Sequence, residues 1–290
     1  MGKVTEHKVR SLTGFTQLIE EVLAQSKVRN NEVPRVENWY RGHCSPKFKL
    51  EPNLYRHPKI ANLLGLLGLE GSMMRNFLRQ GVLLHSPLLH NPILFSDDQK
   101  ERLKVLFYMQ HYGIPTRLLD WTGNPFIALY FALTQQVGKK PRKPQDAVVW
   151  ILDPWAWNRK ALDELNWGDS GPAIPDEEKL KTYHPQEVWT APEAANMYAF
   201  PVALRGVSNT QRIFAQKGAF TIFGKSKLPM ETIYEKENFP KNCLVKLVIP
   251  GGSQDDLLER LIAIGYTDSV AYPDLHGLAL EIRRLNGFRM

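Results

Sequence analysis

Apolar residues recur at helical spacing over residues 13–27, where Phe15, Leu18, Ile19, Val22 and Leu23 share one face, so the segment predicts an amphipathic helix. ENWYRG (37–42) reads as a short strand that ends in a turn. A proline-punctuated loop follows from His43, and residues 61–83 read as mostly helical. Residues 85–96 form a connector. Ser96 with Gln99 three positions on has the pattern of a capping box, opening a helix that runs to about Tyr112 and stops before Gly-Ile-Pro. Asn124 and Pro125 then supply an N-cap and a first-turn proline. The helix they open carries Ile127, Ala128, Tyr130, Phe131 and Ala132, an almost wholly apolar face that predicts burial.

The second half changes character. AVVWILD (147–153) is a continuous apolar run between turn signals and predicts a buried central strand. Residues 154–200 mix proline, tryptophan and acids, and are expected to form an insertion with one or two short helices. QRIFAQKGAFTIFGKS (211–226) reads as strand, glycine turn and strand, and NCLVKLVIP (242–250) as a further strand. Ser253 is placed to cap a helix over 254–264. Pro273 and Asp274 are placed to start a last helix that ends near Leu285. Helices dominate the first half and strands come mostly after 147. That is an α+β pattern with a mainly antiparallel sheet core, not a βαβ alternation. No repeat and no interdomain linker is visible, so residues 1–290 read as a single domain.

Composition narrows the setting. Apolar residues are 43% and charged residues 23%, an ordinary globular balance. The net charge of +7 suits an anionic partner such as nucleic acid, a nucleotide or an acidic protein, and equally a solvated basic surface. Cys44 and Cys243 form no ligand ladder, so no metal site is expected. No apolar stretch approaches a membrane span and no secretory leader is visible, which together predict a cytoplasmic protein without a membrane partner.

The densest chemistry lies in QHYGIPTRLLDWTGNPFIALYFAL (110–133), just ahead of the apolar helix. Capping accounts for Asn124 and Asp120. It leaves His111, Tyr112, Arg117 and Trp121 without a reason, and predicts a pocket there. Arg117 needs an acceptor, for which Asp120 is a candidate. In WYRGH (39–43), Arg41 at a strand end can offer a guanidinium fork to phosphate or carboxylate, and Gly42 can admit a ligand close to the backbone. The other reading is a structural arginine paired with Asp120 or Glu37. Gln211, Arg212 and Gln216 are polar residues entering an apolar strand pair, and Asp274 reads as a helix cap. GAFTIFGKS has five residues between its glycines and no following helix, so it is not a phosphate loop.

WYRGH, LEPNLYR (50–56), MQHYGIPTRLLDWTGNPFIALYFAL (109–133), RIFAQKGAFTIFG (212–224) and YPDLHGLA (272–279), in this order, resemble the FRG-domain family. That family is named for a Phe-Arg-Gly element, here Tyr40-Arg41-Gly42. Its occurrence in bacteria and phages implies a toxin or phage-defence role, with an antitoxin partner. More remotely, the order of elements resembles the ADP-ribosyltransferase fold. Arg41 matches its first signature, Leu119 to Thr122 with the Ala128–Ala132 helix its second, and Asn209 to Gln211 ahead of Gly218 to Phe220 its third. This resemblance implies NAD as a substrate. It assigns the reacting groups to Arg41, Tyr112, Asp120 and Gln211, and sets Tyr40, Gly42, Arg117, Trp121, Thr122 and Arg212 around the nucleotide. Gln211 departs from the glutamate of the pattern, keeping the hydrogen bond and losing the charge. The implied acceptor is a nucleic acid, favoured by the basic balance, or a protein. The alternatives are a non-catalytic nucleotide or nucleic-acid module using Arg41, Arg117 and Arg212, and a hydrolase using Asp120 and His111.

Overall fold

One seven-stranded sheet organises the chain. Its strands are β1 (Thr5–Lys8), β2 (Trp39–His43), β3 (Leu118–Thr122), β4 (Ala147–Leu152), β5 (Val202–Arg205), β6 (Gly218–Ile222) and β7 (Leu244–Ile249). The order across the sheet is β1-β7-β4-β2-β3-β6-β5. Every pairing is antiparallel except β1 with β7. The computed structural model describes residues 2–31, 36–81, 99–135, 145–165, 171–186, 188–206 and 216–288.

Helices cover both faces. They are α1 (Leu12–Arg29), α2 (Leu63–Gly81), α3 (Gln99–His111), α4 (Pro125–Thr134), α5 (Pro154–Ala161), α6 (Ala191–Asn196), α7 (Met230–Lys236), α8 (Gln254–Ala263), α9 (Asp268–Ala271) and α10 (Leu275–Leu285). Strand β4 shows why the layers form. It is buried on both sides, so its residues divide by parity. Ala147, Val149 and Ile151 join a core with Phe15 and Val22 of α1, Ile127 and Ala128 of α4, and Leu257 of α8. Val148, Trp150 and Leu152 join the opposite core with Phe107 of α3, Trp157 of α5 and Ile233 of α7.

The mixed, mainly antiparallel architecture agrees with the expected class, but the division into halves does not hold. Three of the seven strands precede residue 147, and β2 and β3 lie near the sheet's middle. Neither β1, with its polar sequence TEHK, nor β3, LLDWT, carries the apolar alternation that marks a half-buried strand. Residues 154–200 are more than an insertion: Trp157, Leu162, Leu180 and Tyr183 are fully buried in the core beside the sheet, and Ala173 bridges Leu204 of β5. Asn124 caps α4 by accepting from the backbone N–H groups of Phe126 and Ile127, as expected. Asp274 caps α10 through Gly277 N–H. Ser253 precedes α8 but makes no side-chain cap bond. Ser96, the 85–96 connector and the strand placed at 211–215 lie outside the described residues.

Candidate functional site

The sheet splits between its central strands. β2 and β3 pair at one position only, Tyr40 with Thr122, whereas β2 and β4 pair at five. A cleft of about 220 Å³ opens there. Strand β2 contributes Tyr40, Arg41 and Gly42, and β3 contributes Asp120, Trp121 and Thr122. One face of α3 supplies Phe107, Gln110 and His111, three residues at i, i+3 and i+4. Phe131 and Gln135 enter from α4 and just beyond it, and Gln216, Gly218 and Phe220 from the β6 side. The buried rings of Phe107 and Phe220 pack 4.8 Å apart.

Arg41 bridges the split. Its Nη1 donates to the Asp120 carbonyl oxygen at 2.6 Å and lies 3.9 Å from the Asp120 carboxylate. Its Nε donates to His43 Nε2 at 3.0 Å. Among the described residues Nη2 has no hydrogen-bond partner. Burial lowers the Arg41 pKa and Asp120 partly restores it, and the guanidinium keeps its charge. Burial, then the Arg41 charge, pulls His43 down to about 3. The imidazole is therefore neutral, with the proton placed on Nδ1 by the bond that Nε2 accepts.

Asp120 is half exposed at the cleft mouth. Its Oδ2 accepts from Gln110 Nε2 at 2.7 Å, and Gln110 Oε1 in turn accepts from Thr116 Oγ1 at 2.6 Å. Asp120 thus faces α3 and does not cap α4. Thr122 donates its hydroxyl hydrogen to the Gln216 carbonyl and accepts from Asn124 N–H at 3.0 Å. That hydrogen is committed to the fold. Trp121 is buried, with Nε1 donating to Thr221 Oγ1 at 3.2 Å. Tyr40 is buried as well, and burial raises its phenol pKa.

Three sequence expectations change. Arg117 does not meet Asp120 and does not reach the cleft. It is fully buried, its Nε donates to Glu70 Oε2 at 2.8 Å and its Nη2 to the Tyr183 carbonyl. Tyr112 stands exposed past the end of α3 with its ring 6.1 Å from Phe77, outside the cleft lining. Gly42 lines the cleft, but a helix makes it necessary: a Cβ there would lie 2.0 Å from the Ala128 carbonyl oxygen and 2.6 Å from Ala132 N, both of α4. Gln211 and Arg212 lie outside the described residues. Phe107, Gln110, Phe131 and Phe220 line the cleft without having been candidates in the sequence, and His43 enters as the partner of Arg41. Helical spacing from His111 back to Phe107 was the signal for that face.

Among the described residues no helix is long and apolar enough to cross a membrane. No group of three or more His, Cys, Asp or Glu among them could hold a metal ion. Residues 36–140 match the family model of the FRG domain. The match contains β2, β3 and α4, and so both strands that flank the split; the β6 wall lies beyond it. No curated protein and no solved structure matches the chain.

Proposed function

We propose that this chain, which carries an FRG domain, takes NAD as a substrate in the cleft between β2 and β3 and transfers its ADP-ribosyl group to a macromolecule. Arg41 is the observation that supports this reading. A charged guanidinium is fixed at the split by His43 and the Asp120 carbonyl, with Nη2 left for an outside acceptor. A phosphate oxygen fits that donor. The cleft is smaller than the roughly 300–1,000 Å³ of pockets for whole drug-sized ligands. It therefore suits one end of a dinucleotide, with the rest along the open mouth.

In the reaction, the bond from ribose C1′ to the nicotinamide nitrogen breaks, and nicotinamide leaves with the electron pair. A nucleophilic oxygen or nitrogen of the acceptor closes on C1′, and Asp120 takes its proton. Asp120 suits that task because it is exposed at the mouth and oriented by Gln110. The ribose contact goes to Gln211, as the resemblance implies. The net charge of +7 favours a nucleic-acid acceptor, and a toxin of this kind has an antitoxin partner. One observation favours a nucleotide-binding module without turnover: the Thr122 hydroxyl hydrogen is committed to the Gln216 carbonyl.

The test is incubation with labelled NAD and RNA, DNA or protein extract, with Arg41→Ala alongside. Transfer of label that disappears in the variant supports the transferase. NAD binding without nicotinamide release supports the binding module. Absence of both binding and release overturns the NAD reading.

A further inference from the structure

The last helix is mounted inside out. A surface helix ordinarily buries its apolar stripe and turns polar residues to water. On α10 the protein-facing side carries one half-buried apolar residue, Leu280, and is otherwise polar or bare. Gly277, Glu281 and Arg284 follow one another at i, i+4 and i+7. Gly277 is buried so tightly that a Cβ would lie 1.9 Å from the Tyr272 carbonyl oxygen. Glu281 Oε2 accepts from Thr267 Oγ1 at 2.8 Å and from Ser269 N–H at 3.0 Å. Arg284 forks onto Asp268, Nε to Oδ2 at 2.7 Å and Nη2 to Oδ1 at 3.0 Å. The buried Tyr130 hydroxyl of α4 donates to the same carboxylate. These bonds fix the rotation of α10 about its axis.

That rotation leaves an apolar stripe in water. Leu275 is 82% exposed, Leu278 47%, Ile282 52% and Leu285 78%, and Phe288 just beyond the helix is 64% exposed. The four helical positions are spaced three, four and three apart, the a/d repeat of a two-helix seam. We propose that this stripe docks a second copy of the chain, α10 against α10 about a two-fold axis.

Three features favour a like copy. The five side chains leave roughly 500 Å² of apolar surface per chain, at the upper end for a lone monomer, and pairing removes about 1,000 Å², the threshold of a specific interface. Ala279 and Asn286 border the seam and carry no charge, so two identical stripes meet without repulsion. Glu281, on the other border, is already held by Thr267 and Ser269. A lipid surface asks for a basic cluster beside the apolar face. Here the described exposed arginine of the helix is Arg283 alone, since Arg284 is committed to Asp268. A two-fold pair is also self-limiting, because each copy uses the same patch once.

The full chain is examined by sedimentation across the micromolar range, together with Leu278→Glu/Ile282→Glu and with Leu275→Glu. The last places an acid in the first helical turn, where the helix dipole favours it, so it leaves α10 intact. Wild type is expected to dimerise, and each variant to weaken the dimer at least about tenfold, one 1.4 kcal/mol step, with unchanged circular dichroism. A wild type that stays monomeric overturns the proposal, and flotation of that monomer with anionic vesicles assigns the stripe to lipid instead. A dimer that survives the substitutions equally overturns it.

Discussion

Arg41 Nε donates to His43 Nε2 across 3.0 Å, between two side chains on the same face of one strand. The bond requires a neutral imidazole, and the protein enforces that by burying His43 and setting a positive charge beside it. A histidine with an ordinary pKa of 6.5 is thereby held at about 3. Between those values the unfolded chain binds a proton that the folded chain refuses, so stability rises with pH and is lost as pH falls. Acidifying from about pH 7.5 to about pH 5 should cost about 2 kcal/mol through this group. Urea unfolding at both pH values, with wild type and His43→Gln, measures it. Glutamine keeps an acceptor for Arg41 and does not titrate. Equal pH slopes in the two proteins would mean that His43 is not held neutral.

On the proposed NAD reading, the same pair makes Arg41 the residue on which ligand binding turns. Arg41→Ala removes one to two charge-assisted hydrogen bonds to a phosphate, worth about 1.5–3 kcal/mol, or roughly 10- to 150-fold in affinity. Arg41→Lys should recover little. A lysine ammonium cannot hold His43 and the Asp120 carbonyl while a third nitrogen faces the ligand. Calorimetric titration with NAD gives both numbers. An affinity left intact in Arg41→Ala places any NAD site away from the split.

What could be read from the sequence depended on whether the signal was local. Strand β4 announces itself as six apolar residues in a row, and α4 as Asn124-Pro125 ahead of an apolar face; both stand where expected. The polar crowding in residues 110–122 marked a real cleft wall. Strand β3 was hidden inside it because five residues with Asp120 at their centre look like a helix approach. Gly42 shows a deeper limit. A ligand and a helix each need the absent Cβ, and the sequence does not say which one approaches. Arg117 depends on Glu70, 47 residues away. The only sign was a lone acid among the leucines and glycines of α2, and such a residue calls for a buried partner.

Gly42→Ala tests the helix explanation. The new methyl would need the α4 backbone at Ala128 and Ala132 to retreat, and a backbone hydrogen-bonded in a buried helix retreats poorly. Destabilisation of roughly 3 kcal/mol is expected, at the high end for overpacking, and thermal unfolding reads it. A variant that folds with wild-type stability while losing only NAD affinity would return Gly42 to the role of ligand contact.

Arg117 supplies the matching control. Its pair with Glu70 is fully buried on both sides, and Glu70 Oε1 also accepts from the Arg117 backbone N–H at 2.9 Å. Removing one partner leaves a buried charge without compensation, a loss of about 3–5 kcal/mol. Both Arg117→Met and Glu70→Gln should therefore unfold at markedly lower urea concentration than wild type. The fraction of either variant that remains folded should still bind NAD with near-normal affinity, because neither side chain reaches the cleft. Titration at low temperature, with ligand saturation corrected for the folded fraction, separates the two effects. A stable Arg117→Met protein with abolished binding would overturn the structural assignment and restore Arg117 to the pocket.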